Sequence, residues 1–532
     1  MMHRNLSFFV RICAVFLLCV LLLNPSMDGQ NQNREPSDGV FRMRPISPIE
    51  NMGLDPVSGK TFILAAEQIF DGLVKLGKNL NVIPALAEYW AISPDGKTYT
   101  FFLRKGVRFH HGPELTSSDV KISFERILDS DTNSPYADYF LGRVEGALEF
   151  HRGISDEVTG FRVVDDYIFQ ILWERPCVSA LYLLSLNFCS VLPKDLLEER
   201  RNRFFNTPSG TGPYKFDSWI RTPEMVLGGV RLERNEEYFK GTPYIRHLEF
   251  SPFYTLDHFL FGEIDSIPVI SDEVLKPEYQ IVEDGILNLV YLGISCQIPP
   301  FNKIEVRQAV YKSLDRKKIV LEAYDIRDAY RMSNTFIPPH LPGFFPSDNI
   351  HTIDISQAKA LIESSGVVQE EDQMQVMLFM PLPRERRKIR LFREISNQLQ
   401  VLGLRFRLRY YSTIEEVRNT EKPSLVVFEK KMILPDPDDI IRPFFHSSSL
   451  KNVFGFSDPK FDSLVLKAEV ERSWTKRIKL YHEMEKRLFE GLPAVPLFVY
   501  SKRIAIQPYV KQVVVPPLGI DYLEAEKIWL DK

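Results

Sequence analysis

Residues 374–411 hold the pattern that most limits what this chain can fold into. Residues 374–380 form a near-continuous apolar run, as in a strand buried on both faces. Phe392, Ile395, Leu399 and Leu402 then recur on one helical face. Gly403 stops that helix, and residues 404–411 make a second strand. Strand, helix and strand in this order imply a parallel βαβ unit.

The same reading extends along the chain. Residues 99–103 (YTFFL) are rich in aromatic and β-branched side chains and read as a strand, with Gly96 supplying the turn before it. Residues 116–128 read as a helix. Thr116 takes the N-cap and Asp119 the third position, which approximates a capping box. Residues 354–365 read as another helix, with Asp354 and Gln357 at cap and third position and Gly366 ending it. Residues 425–428 supply a further short strand. Ile478, Tyr481 and Leu488 lie on one side of a helix closed by Gly491 and Pro493. The whole is α/β. Its 532 residues exceed the roughly 250–300 at which a single core stops growing, so at least two lobes are expected. A net charge of −4 indicates neither nucleic acid nor an anionic membrane surface as the main partner.

The first 29 residues differ from the rest. His3, Arg4 and Arg11 precede an apolar run at 12–23, which Asn24 and Pro25 break. A basic start and a short apolar run make a secretory signal, too short to span a bilayer comfortably. An uncleaved N-terminal anchor is the other reading of that segment. Phe16, Leu17 and Leu18 precede Cys19, which argues against lipid attachment there. Export permits disulfides, and the mature part keeps Cys177, Cys189 and Cys296. A Cys177–Cys189 bridge and buried free thiols are both open.

Several apparent chemical motifs fail on spacing. Residues 53–61 end in Gly-Lys-Thr like a phosphate loop, but five residues rather than four separate Gly53 from Gly59, and Pro56 lies between. Ser118 and Lys121 fit a Ser-x-x-Lys pattern whose partner motifs are missing, so they read as a helix face. His482-Glu483 opens a zinc-helix motif in which Lys486 replaces the second histidine. His110 and His111 are adjacent and point to opposite sides of an extended segment. No catalytic residue, metal or cofactor is assigned, and the chain reads as a non-enzyme.

Six ordered stretches resemble one family. These are LDPVSGKTFILAAEQIFDGLV at 54–74; LAEYWAISPDGKTYTFFLRKGVRFHHGPELTSSDVKISFER at 86–126, behind Ala85; and GTGPY at 210–214 with 235–238. Then come Pro299-Pro300-Phe301 with Leu314-Asp315-Arg316, Pro435-Asp436-Pro437, and LPAVPLFVY at 492–500. The set is similar to the oligopeptide/dipeptide-binding proteins of ABC transporters, extracytoplasmic solute-binding proteins of family 5. The resemblance implies a type II periplasmic-binding fold, two lobes with a hinge plus an inserted third subdomain. It places 39–70, 191–279 and 495–532 in the first lobe, 71–190 in the insert and 280–494 in the second lobe. It implies a periplasmic or cell-envelope monomer that binds an oligopeptide or peptide-bearing ligand and docks on permease subunits. A sensory receptor or envelope scaffold of the same fold, or a binder of an anionic or metal-chelate solute, is the alternative.

Relatives commonly carry a Trp-x-x-Asp-Tyr-Pro-Asp-Pro-like stretch whose first Asp pairs with the ligand's α-ammonium group. Here Lys430 falls at the Trp and Ile433 at that Asp, with Lys431 between them. A buried ammonium without a counter-charge is costly, so a free peptide N-terminus is disfavoured. The two lysines instead suit an anionic or N-blocked ligand, or else face solvent. Tyr500, in the Pro-Leu-aromatic-x-Tyr segment, and Tyr214, in GTGPY, are the remaining expected ligand contacts, each with a core position as the other reading. Asp436 is expected to cap a helix beginning at Pro437.

Overall fold

A computed structural model of the protein describes residues 36–46, 53–78, 80–224, 226–284, 288–323, 329–339, 341, 343, 344, 352–367, 375–516 and 518–532. The secretory signal expected at 1–29, and Met374 at the head of the apolar run, lie outside them.

The expected βαβ unit is present. Gln375–Pro381 and Arg405–Tyr411 pair in parallel, with the helix Arg386–Leu399 between them in sequence. Leu391, Ile395 and Leu399 are buried against this sheet, each contributing roughly 1.5–3 kcal/mol. The strand expected at 425–428 runs longer, Ser424–Lys431, because both its neighbours pair along it. Six strands make up this sheet. Their order is Ala329–Met332, Ala494–Ser501, Asn288–Ile294, Ser424–Lys431, Gln375–Pro381 and Arg405–Tyr411.

A second sheet has seven strands. Their order is Gln280–Glu283, Arg503–Ile506, Ser266–Pro268, Ser37–Met43, Ile245–Phe250, Leu227–Arg234 and Tyr214–Arg221. A third, four-stranded antiparallel sheet is built from Ala87–Ile92, Thr98–Leu103, Ile168–Leu172 and Phe161–Asp165. Its core is aromatic, with Phe101, Phe124, Phe140, Phe161, Phe169 and Trp173 packed together. The helix Ser117–Leu128 covers it. The Asp119 carboxylate accepts from the Thr116 N–H at 2.8 Å and hydroxyl at 2.9 Å, as the capping pattern predicts. Asp354 likewise accepts from the Gln357 N–H at 2.8 Å.

Among the described residues the chain leaves one large sheet for the other twice, and the strands flanking the two crossings are neighbours. Gln280–Glu283 pairs with Arg503–Ile506 in the seven-stranded sheet, and Asn288–Ile294 pairs with Ala494–Ser501 in the six-stranded one. Between these ladders the Asp284 N–H donates to the Lys502 carbonyl at 2.7 Å. Two expected edges shift accordingly. Residue 280 begins a strand of the seven-stranded sheet rather than of the other lobe. Residues 495–501 belong to the six-stranded sheet, because their hydrogen-bond partners are there. Cys177, Cys189 and Cys296 are free thiols.

Candidate ligand-binding site

The strand Ser424–Lys431 delivers the expected residues to one end of its sheet. Cross-strand register sets Lys431 opposite Asn288, Asn288 opposite Tyr500, and Tyr500 opposite Tyr330. Directly opposed residues share a face, so these four form a row across the sheet. The Tyr330 and Tyr500 rings lie 5.8 Å apart, and the Asn288 side-chain amide donates to the Tyr500 carbonyl at 3.3 Å. Tyr500 is buried at the margin of the second-lobe core, with the Arg387 and Lys502 cations 6.0 Å and 5.6 Å from its ring centre.

Lys430 and Lys431 do not act together. Neighbours on a strand leave opposite faces. The Lys430 Nζ lies 3.1 Å from Asp439 Oδ2, and the Lys431 Nζ lies 3.2 Å from Asp521 Oδ2. The pair of adjacent cations expected to favour an anionic ligand is therefore two separate, matched ion pairs. Lys431 is about half exposed, whereas Lys430 and both carboxylates are largely buried.

The loop after the strand is shaped by buried carboxylates. Asp439 accepts from the Ile433 N–H at 2.9 Å and from the Tyr139 hydroxyl as well as from Lys430. Burial pushes its carboxyl up from the usual range, and Lys430 opposes that shift. Asp436 caps the short helix Pro437–Asp439, its Oδ1 accepting from the Asp438 N–H at 3.0 Å with Pro437 at the first position, as expected. Its second task is invisible in the local sequence. Arg477 forks onto Asp436 at 2.6 and 2.9 Å and reaches Asp438 at 2.9 Å. The Tyr481 hydroxyl donates to Asp438 at 2.9 Å. Burial lowers the Arg477 pKa, and the two carboxylates raise it by more, so the guanidinium stays charged.

Ile433 and Leu434 carry no charge into this junction. Their side chains pack against the core of the four-stranded body, beside Leu518 and Tyr522 of the C-terminal segment. Tyr136 and Tyr139, stacked on Phe188, come from the other side. Both large sheets and the small one thus meet around residues 430–439.

Tyr214 is not part of this junction. It is fully buried among Phe41, Phe62 and Phe250 in the seven-stranded lobe, its hydroxyl 3.5 Å from the Ala525 carbonyl. Gly210 and Gly212 allow close backbone approach. An added Cβ at Gly210 would sit 1.9 Å from the Ile69 carbonyl oxygen, and one at Gly212 2.4 Å from that of Gln68. Sequence reasoning also missed Asp439, Asp521, Tyr139 and Arg477. Of these, only Asp439 had a local signal, the acidic run beginning at Asp436. Among the described residues, no group of three or more His, Cys, Asp or Glu side chains is placed to hold a metal.

Two sheet-bearing lobes joined by two adjacent crossing strands, with a third body inserted, define a bilobal solute-binding protein. Residues 81–452 match the model of the bacterial extracellular solute-binding proteins, family 5. The chain belongs to that family. It is 25% identical to heme-binding protein A of Haemophilus influenzae over 506 residues, which cover 88% of this chain and 89% of that one. It is equally similar to the dipeptide-binding protein of Escherichia coli, with 25% identity over 88% of this chain and 90% of that one. The structure of HbpA2 from Haemophilus parasuis superposes with a TM-score of 0.77 at 25% identity, over 92% of this chain and 99% of that one.

Proposed function

We propose that the protein is the extracytoplasmic capture component of an ABC peptide importer, binding an oligopeptide or peptide-bearing ligand between two closing lobes without catalysing a reaction. The observation that carries this is the pair of adjacent crossing strands, which lets two rigid sheets swing about one line. The dipeptide-binding relative supports the ligand class. The lobes follow the sheets: the described residues of 36–70, 191–284 and 502–532 form the first, those of 71–190 the insert and those of 288–501 the second. The basic and apolar start of the chain supports export to the periplasm, where the closed monomer docks on permease subunits.

The junction at 430–439 narrows the ligand. Ile433 offers no carboxylate, and the nearest one, Asp439, is already matched by Lys430. A ligand ammonium entering there would lack a partner. The reading is therefore a peptide whose amino end is blocked or lies elsewhere. An apolar non-peptide solute is the second reading. The same uncharged wall and the heme-binding relative favour it.

Mass spectrometry of material released from the purified protein by mild denaturation tests this directly. A peptide mixture supports the importer reading, with the state of its termini deciding the specificity. A non-peptide ligand selects the second reading. An empty protein that gains no thermal stability from free or N-acetylated peptide libraries refutes peptide capture.

A further inference from the structure

The net charge of −4 conceals a strongly cationic surface on the second lobe. Residues 384–409 hold nine Arg and Lys and two acidic side chains; Lys388 is buried, Arg387 is partly exposed and the other seven cations are exposed. Both carboxylates are engaged. Glu385 contacts Arg387 and Lys388, and Glu394 is buried and bonded to Lys318 at 3.1 Å. On the helix Arg386–Leu399 the buried face is Leu391, Ile395 and Leu399. The opposite stripe is Arg386, Ile389, Arg390, Arg393 and Asn397, all exposed and with no carboxylate among them. A helix of this length presents about 21 Å of such surface.

Apolar side chains are interleaved with these cations. Ile389 stands within the stripe and is 38% exposed; Leu382 and Val401, just beyond the two ends of the helix, are 47% and 41% exposed. The helix Arg316–Ala323 lies antiparallel alongside. Lys318 meets Glu394, and Arg390 donates to the Ala323 carbonyl at 3.2 Å. This brings Leu321, 66% exposed, beside the arginines, together with Lys317; among the described residues of this helix and its start the acidic side chains are Asp315 and Glu322.

We propose that this face, Arg386, Arg390 and Arg393 with Ile389 and Leu321, holds the protein against an anionic lipid headgroup surface. Charge complementarity favours an anionic partner. Exposed Leu and Ile among arginines on a helix lying flat fit a bilayer interface, which takes dispersed cations and shallow apolar insertion at once. The patch is on the outside of the βαβ layer, so it stands independently of the ligand reading.

Sedimentation of the purified protein with vesicles tests the proposal. Vesicles of phosphatidylglycerol and phosphatidylethanolamine are compared with phosphatidylcholine vesicles. Every variant keeps the same N-terminus, so the apolar residues at 12–23 contribute equally throughout. Partition into the anionic vesicles is expected to exceed that into the neutral ones and to fall as salt shortens the Debye length below about 10 Å. Each arginine near an anionic surface is worth a factor of about five, so R386Q/R390Q/R393Q is expected to lower partition about 100-fold with unfolding temperature unchanged. If that variant unfolds, R386E/R393E leaves the Arg390 contact intact and carries the same expectation. Equal partition into neutral vesicles overturns the proposal, as does wild-type partition by the charge variants. Binding to soluble polyglutamate as tight as to the vesicles reassigns the face to an acidic protein.

Discussion

Two ion pairs a few residues apart in the site differ in almost every respect. Arg477 and Asp436 are fully buried, joined by two parallel hydrogen bonds and contained in one lobe. Lys431 and Asp521 meet through a single contact, with the lysine about half exposed, and they connect one lobe to the C-terminal segment of the other. The first fixes the shape of the loop at 432–439. The second bridges the lobes beside the strands that join them. Strong contacts inside lobes and weak ones between them are what a reversible clamp requires.

Substitutions can break this contrast. Arg477→Met strands Asp436 and Asp438 and is expected to cost about 3–5 kcal/mol in urea unfolding. A loss near zero would make the buried fork no stronger than the exposed pair. A second buried group of the same lobe sharpens the point through pH. Burial pushes the Glu485 carboxyl up to about 7, where it accepts from the Ile337 N–H at 2.7 Å. Between its ordinary value of 4.5 and about 7, the folded protein keeps a proton that the unfolded chain releases, so stability falls as pH rises through that window. Glu485→Gln is expected to remove a slope worth about 3 kcal/mol in total, read from melts across that range. Glu67, raised to about 7 by burial against the opposing effect of Lys75, retains its own share of the slope.

Lys430→Met lies between the extremes. It leaves the Asp439 carboxylate with only neutral donors, at a cost of about 2 kcal/mol. It is also expected to tighten capture of free-amine peptides relative to N-acetylated ones in calorimetry. Unchanged preference would separate Asp439 from the ligand. The smallest effect belongs to Lys431→Ala, expected to change stability by less than about 1 kcal/mol. Small-angle scattering should nonetheless show a more open average shape without ligand. A large stability loss there would mean the lobes are permanently fastened.

The sequence made the scaffold legible because its signals are local. Caps at Thr116 and Asp354, and the periodicity of Phe392, Ile395 and Leu399, depend on residues within a few positions of one another. The site was legible only as a stretch of chain. The alternation that separates His110 from His111 also separates Lys430 from Lys431, so adjacency in sequence became divergence in space. Their partners lie nine and ninety residues away, and Arg477 reaches Asp436 across 41 positions. Tyr214 could be read either way for a related reason. Its hydroxyl approaches a carbonyl 311 residues later, and burial among aromatic side chains decided its role.

The two crossing strands also determine which movements are soft. Fixed edge to edge by the Asp284–Lys502 hydrogen bond, they act as a double strap. A double strap resists shear and torsion far better than a single thread, and yields chiefly by bending out of its own plane. Travel is then smallest beside the strap, near Asn288 and Tyr500, and greatest at the far rims of the lobes. A ligand held close to the strap would stay engaged while the rims part, so its release is expected to begin at the rim and finish at the axle.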